Sequence, residues 1–576
     1  MKAWPRIVLT AAILAAAAAV QSVNRDDPEG LWVAHQRYGP DVRGNLLILP
    51  INGALHADIA GYSVPVVKRG SHFSFTLPDQ QGKFRGLRIG TDLVGQWLQA
   101  DGGSRYSTPV TLHADGPQRW RGQIDPKANR MTYYLPVTHT GEGLFATYLR
   151  NPERNQGRFI PVSRIAFEGD TVKLLGTERG AKEMSIIASG HRDAAADVFS
   201  VPLDGSTFDF ERDTTSKSAF YPRGRSGEHY VYAPPVQFAG DGWPTSTLEK
   251  EGLSRGAIER FVQKLIDMPM DGISSSQIHS LLIARHGRLV LEEYFHGYDR
   301  DTPHDMRSAA KSWTAVLIGA AMQAGVPIRV DTPVYETMLG DVPADLDPRK
   351  RAMKLEHLLT MSGGFDCDDS KMRPGAEDVM QEQTDEPDWY RYTLQVPMAY
   401  EPGEKIIYCS AEANLAAGML ERVADEPLPE MFDRLVARPL HMGRYHLFLT
   451  PTDTAYGGGG HHFLPRDFLK LAQLMVNEGR WEGRQILSRQ WAQKSGAALR
   501  NLSPTQTYGY FWNSVEYPYR GGKLHAYFAG GNGGQIFMGI PQLQLVIGFT
   551  GGNYADPVLF RAQREFVPQD ILPALN

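Results

Sequence analysis

In Arg307-Ser308-Ala309-Ala310-Lys311-Ser312-Trp313 a hydroxyl and an amine stand three residues apart, a spacing that sets them on one face of a helix. The run from Ser308 to Ala324 is rich in Ala, Leu, Ile and Met, with Gly325 as a stop and Pro327 just beyond, so a helix is predicted there. A serine hydroxyl needs a nearby base to attack at neutral pH, and a lysine serves if burial lowers its pKa. The free N–H groups and partial positive charge of a helix N-terminus would favour an alkoxide at Ser308 or an oxyanion beside it. An ordinary N-cap serine and a solvated lysine satisfy the same two-residue pattern, so its weight depends on what else the chain carries.

Two further segments add to it. Pro402-Gly403-Glu404-Lys405-Ile406-Ile407-Tyr408-Cys409-Ser410 places a tyrosine just before a predicted helix, and Gly530-Gly531-Asn532-Gly533-Gly534-Gln535 leads into a strand. In this order, with Ser308 and Lys311, they resemble the serine β-lactamase and penicillin-binding-protein superfamily, most closely the class C β-lactamase-like esterases, amidases and D-aminopeptidases. Glu356 to Gly364, Gly457 to Gly460 with Arg466-Asp467, and Tyr508-Gly509-Tyr510-Phe511-Trp512 extend the likeness, which runs from about Gly240 to the C-terminus.

The resemblance implies that Ser308 is acylated, that Lys311 is its partner and that Tyr408 is the base or proton shuttle, with activity rising as the Lys311 and Tyr408 pair loses a proton. The glycines would let a strand backbone approach the substrate, and the amides of Ser308 and Gln535 are the candidates for the oxyanion. Where many relatives carry lysine or histidine followed by Thr-Gly or Gly-Gly, this chain has Asn532-Gly533-Gly534, and Ser410 stands where asparagine is common. A neutral amide attracts a carboxylate less than a cation does, which favours esters or small amides over β-lactams and D-alanyl peptides. Lys523 or an arginine elsewhere is the alternative carboxylate partner. The rival readings are a β-lactamase or penicillin-binding D-alanyl peptidase, and a non-catalytic binding protein that keeps the fold.

These segments need elements to hold them. From residue 29 to 232 short apolar or alternating runs are broken by Gly, Pro, Asn and Asp. His72 to Leu77, Val94 to Gln99, Met131 to Val137, Leu144 to Leu149 and Thr171 to Leu175 are examples, and they predict an all-β barrel or sandwich domain. Trp32, Trp97 and Trp120 are expected in its core. Residues 233–250, rich in Pro and Gly, read as a linker. Residues 251–576 read as an α+β hydrolase domain. It opens with a helix from Arg255 to Met268 capped by Ser254, then a hairpin around His286-Gly287, and its last strands are expected to join the first in one antiparallel sheet flanked by helices. A cleft between that sheet and the helical lobe would take the substrate.

At 576 residues the chain is long enough for two or three domains, and a net charge of −5 gives no basic footprint for nucleic acid. Met1 to Ser22, with Lys2, Arg6 and an apolar run to Val20, reads as a secretory signal, giving an exported, periplasmic or secreted product with no stable membrane span after cleavage. In an oxidising compartment Cys367 and Cys409 form one disulfide or remain two buried thiols. No His-Glu-x-x-His, Cys-x-x-Cys or phosphate-loop pattern occurs, so no metal or organic cofactor is implied. The expected partner is a small-molecule or peptide-like ester or amide.

Overall fold

A computed structural model describes residues 27–40, 42–101, 104–141, 144–224 and 229–576. The predicted signal segment, Met1 to Ser22, lies outside them. Among the described residues no helix is long and apolar enough to cross a membrane.

The β-rich part is two closed or nearly closed units, one inserted in the other. Eight antiparallel strands from Gly30–Tyr38 and Asn129–His139 through Ser206–Arg212 form a closed barrel, sealed where Trp32 and Val33 pair with Arg212 and Glu211. Trp32, Tyr133, Phe199 and Phe210 fill it. Between its first two strands, residues 44–124 form a second antiparallel sheet of nine strands around Ile48, Phe84, Trp97 and Trp120. Its two edge strands, Tyr62–Pro65 and Val67–Arg69, are successive pieces of one segment, so the sheet curls back on itself. That protects edges that would otherwise recruit other chains.

The C-terminal part is built on an eight-stranded antiparallel sheet in which Ile278–Arg285 and Arg288–Tyr294, from its beginning, lie beside Leu545–Gly551, its last strand. The two-residue period of a strand sorts its side chains between two cores. Leu281, Ile283, Leu545 and Ile547 face the Arg255–Ile266 helix and the terminal helical segment Ala562–Ile571, whereas Leu282, Ala284 and Val546 face the Lys311–Gln323 and Pro465–Val476 helices. Ser254 caps the first of these helices by accepting from the Ala257 N–H. The helical lobe, from Val334 to Phe432, closes over the second core. Residues 233–250 carry Trp243 and Leu248, both buried, and Trp243 Nε1 donates to the Arg466 carbonyl.

The two parts share a sheet. Strand Ser104–Ala114 pairs with Tyr445–Leu449 of the hydrolase domain, Ser107 opposite Leu447 and Arg105 opposite Leu449. Ion pairs flank this seam, Arg85 to Glu430 at 2.5 Å and Arg105 to Asp453 at 2.6 Å. Backbone pairing of this kind fixes the orientation of the β-rich part on the hydrolase domain. A fragment of residues 233–576 leaves the Tyr445–Leu449 edge unpaired and uncovers Leu447 and Leu449. It is expected to self-associate in size-exclusion chromatography with light scattering, and a well-behaved, fully active monomer would contradict the shared sheet.

Candidate active site

Ser308 lies in a tight turn, Arg307–Ala310, that precedes the Lys311–Gln323 helix, so the α-helix starts three residues later than the sequence predicts. The turn is forced by Arg307, whose φ is +46°, and held because the Arg307 N–H donates to Asp305 at 2.9 Å. Such a left-handed residue is costly and persists only where its surroundings fix it. Two glycines allow those surroundings to approach. A Cβ on Gly531 would lie 2.4 Å from the Met306 carbonyl, and one on Gly459 would lie 2.7 Å from the Arg307 carbonyl. The Gly522–Gly531 strand and the Gly457–Gly460 loop therefore clasp the turn from two sides.

Lys311 is almost wholly buried, and its Nζ donates to Ser308 Oγ at 3.0 Å and to the Gly458 carbonyl at 2.7 Å. It lies 4.9 Å from the centroid of the Tyr408 ring. Burial works against its charge, but Tyr408, Glu377 and Asp369 together outweigh burial and hold the lysine above its ordinary range. The sequence reading anticipated a lysine lowered by burial; these oxygen neighbours reverse the sign.

Tyr408 is held by its backbone. Its carbonyl accepts from the Asp369 N–H, and the preceding Ile407 N–H donates to Met361. Cys409 follows and forms a disulfide with Cys367, tying the tyrosine to the loop that carries Asp369. Asp369 is the hub here. Its carboxylate accepts from the Ser410 N–H and hydroxyl at 2.8 and 2.6 Å and from the Glu377 N–H at 3.0 Å. Glu377 accepts from the Tyr456 hydroxyl, two residues before Gly458, and burial raises its carboxyl pKa against the pull of Lys311.

Thus Ser308, Lys311 and Tyr408 come together, and Gly531 lies against them. The remaining sequence candidates are engaged with protein. Ser410 is fully buried and bound to Asp369. The side-chain carbonyl of Asn532 accepts from the Ala555 N–H, and the backbone of Gly533 bridges to Asn553. Gly534 has a φ of +101° and turns the chain into the next strand. Gln535 lies across the ladder from Gly531, its side chain bonded to both backbone groups of Gly551. Lys523 pairs with Glu516 eight residues up the strand from Gly531, about 26 Å away at strand rise.

The barrel supplies residues the sequence reading did not single out. In the loop after Leu144–Ala146, Arg154 pairs with Asp305 at 2.8 Å, Asn155 donates to the Tyr554 carbonyl and Arg158 pairs with Asp556. Asp305 fixes Arg307, and residues 553–555 hold Asn532 and Gly533, so one loop braces both walls of the site. Burial alone would raise the Asp305 carboxyl, but Arg307, His462 and Arg154 drive it far below the usual range. The polar, turn-rich run Arg150-Asn151-Pro152-Glu153-Arg154-Asn155 among strands was the available signal.

Two outcomes follow. Glu377→Gln removes a negative charge that favours the ammonium, so the pH at which the Lys311 and Tyr408 pair loses a proton moves down. The rise of kcat/KM with pH should then begin at lower pH, and an unchanged or upward-shifted profile would count against this electrostatic arrangement. Arg154→Met loosens Asp305 and should lower kcat by about 10- to 100-fold, with partial recovery in Arg154→Lys; unchanged turnover would show that the brace is dispensable.

The comparisons with known proteins fit this geometry. The family model described as Beta-lactamase matches residues 262–557. The 6-aminohexanoate-dimer hydrolase of Paenarthrobacter ureafaciens is 22% identical over 311 residues, covering 49% of this chain and 76% of that protein. A protein of Escherichia coli K12 provisionally named D-alanyl-D-alanine carboxypeptidase is 28% identical over 152 residues, 26% of this chain, and the match spans about a third (34%) of its length. A counterpart in Escherichia coli O157:H7 is 27% identical over 117 residues, 20% of this chain and 26% of that protein. Among solved structures, a penicillin-binding protein from Bacillus halodurans superposes with a TM-score of 0.40 at 16% identity, over 50% of this chain and 97% of that one. The family match spans more than half of the 576 residues and contains Ser308, Lys311 and Tyr408, and on that ground the chain belongs to the β-lactamase family of serine hydrolases.

Proposed function

We propose that this protein is an exported hydrolase, related to the class C β-lactamases, that cleaves an ester or a small amide through an acyl-enzyme on Ser308. The observation that carries the reading is the 3.0 Å contact between Lys311 Nζ and Ser308 Oγ, with the Tyr408 ring beside the same nitrogen. With Lys311 as the ammonium and Tyr408 as the phenolate it stabilises, the phenolate oxygen takes the Ser308 proton and becomes the neutral phenol as Oγ turns nucleophilic. Oγ then attacks the carbonyl. The oxyanion is received by the Ser308 N–H and, in place of the Gln535 amide expected from the sequence, by the N–H of Asn532, because Gly531 is the strand residue that meets the nucleophile turn. On collapse, Tyr408 returns the proton to the departing oxygen or nitrogen, and water repeats the cycle on the acyl-enzyme.

The wall that would meet a substrate carboxylate supports the ester or small-amide preference. Ser410 is committed to Asp369, Asn532 is neutral and held by Ala555, and Lys523 lies at the far end of the strand. A D-alanyl peptide is the competing substrate, favoured by the names of the Escherichia coli relatives and by Arg307 next to the nucleophile. Export is supported by the Cys367–Cys409 disulfide, a bond that persists in oxidising compartments.

A fluorophosphonate is expected to add one adduct mass to Ser308, lost in Ser308→Ala, while Lys311→Met and Tyr408→Phe each lower kcat/KM for the best p-nitrophenyl ester by about 10²–10⁴-fold. Folded protein that takes no label would instead be a binding protein, and turnover of a D-alanyl dipeptide exceeding that of every ester would select the competing substrate.

A further inference from the structure

Arg150 is a buried cation that the proposed mechanism does not use. It ends the short barrel segment after Leu144–Ala146, and its backbone is fixed by two bonds to Tyr134, 2.8 and 2.9 Å. The residue is 0% exposed, and among the described residues none of its three guanidinium nitrogens has a hydrogen-bond partner. The Phe220 ring lies 5.9 Å from its Cζ. Burial lowers its pKa, to about 10, which still leaves it charged at neutral pH, and no carboxylate among the described residues bears on it.

Among the described residues its surroundings are polar but carry no compensating carboxylate. Arg150 acts electrostatically on His279 and His296, which burial keeps neutral, His296 at about 3. Both side-chain amide atoms of Gln277 are buried and unpartnered, as is His279 Nε2. Gln277 and His279 converge where the chain has Gly552: a Cβ there would lie 2.6 Å from His279 Cε1, 2.7 Å from Gln277 Oε1 and 2.6 Å from the carbonyl of Pro152, two residues along from Arg150. Water can satisfy hydrogen bonds in such a place, but it cannot neutralise an enclosed guanidinium, and an uncompensated buried charge is far more costly than an unmet hydrogen bond.

We infer that Arg150 forms a buried site, at the seam between barrel and hydrolase domain, for a small monovalent anion of the halide type. One negative charge matches one guanidinium, and the full enclosure of Arg150 favours a monatomic occupant. The anion helps to hold the two domains together, since Arg150 comes from the barrel and its neighbours His279 and His296 from the hydrolase domain. It lies apart from Ser308 but connects to it, because His279 Nδ1 is 2.9 Å from His304 Nε2 and His304 Nδ1 is 3.0 Å from the carbonyl of Asp305.

The test is a crystal of the full chain grown with sodium bromide as the sole halide and measured at the bromine edge. An anomalous peak in contact with the Arg150 guanidinium is expected, and water-like density without anomalous signal there would overturn the site. In solution, sodium chloride should raise the melting temperature saturably above that in sodium gluconate at equal ionic strength, an increment lost in Arg150→Met. An increment that survives in Arg150→Met would place the effect elsewhere and overturn the assignment. If that variant does not fold, the wild-type crystal decides alone.

Discussion

The buried amine of Lys311 is the constraint that shapes the hydrolase domain. An ammonium with almost no exposure is sustained only by oxygen around it, and here the Ser308 hydroxyl, the Gly458 carbonyl, Tyr408, Glu377 and Asp369 supply that oxygen. Each comes from a different segment, so keeping Lys311 charged requires the helical lobe, the glycine loop and the nucleophile turn to meet at one point. Their convergence is what brings the Lys311 amine against the Ser308 hydroxyl. In the proposed reaction the same arrangement makes Lys311 the support of a base and not the base itself.

The β-rich half becomes intelligible from the same centre. Its second sheet continues into the hydrolase domain through Ser104–Ala114, and its barrel sends Arg154, Asn155 and Arg158 to the two segments that fix the turn and the glycine wall. A strained residue such as Arg307 needs bracing from several directions, and in this chain part of that bracing comes from outside the family domain. The β-rich half therefore belongs to the site's support.

Much of this was legible in the sequence, for identifiable reasons. Ser308 and Lys311 stood out by a helical spacing, Tyr408 only by the resemblance of its segment and the others, in their order, to a known family, and the barrel announced itself through alternation such as Phe73, Phe75 and Leu77. Asp369 and Glu377 were not legible, since a carboxylate in a loop looks the same whether it faces water or a buried ammonium. Their proximity depends on the Cys367–Cys409 bond and on the fold of the lobe. The late start of the helix after Ser308 was equally hidden, because the left-handed Arg307 that delays it is held by the neighbouring Asp305, itself fixed by the distant Arg154, and by the close approach of the distant Gly459. Nothing in the alternating strands foretold that they would form two units, one inserted into the other.

The central claim is that Lys311 carries its proton throughout the working pH range. Nitrogen-detected NMR titration of the chain labelled at lysine Nζ reads this directly. The account predicts that the Lys311 signal remains that of an ammonium up to and beyond the ordinary lysine value of 10.5. A Lys311 that loses its proton near neutrality would contradict it and return the role of base to the lysine.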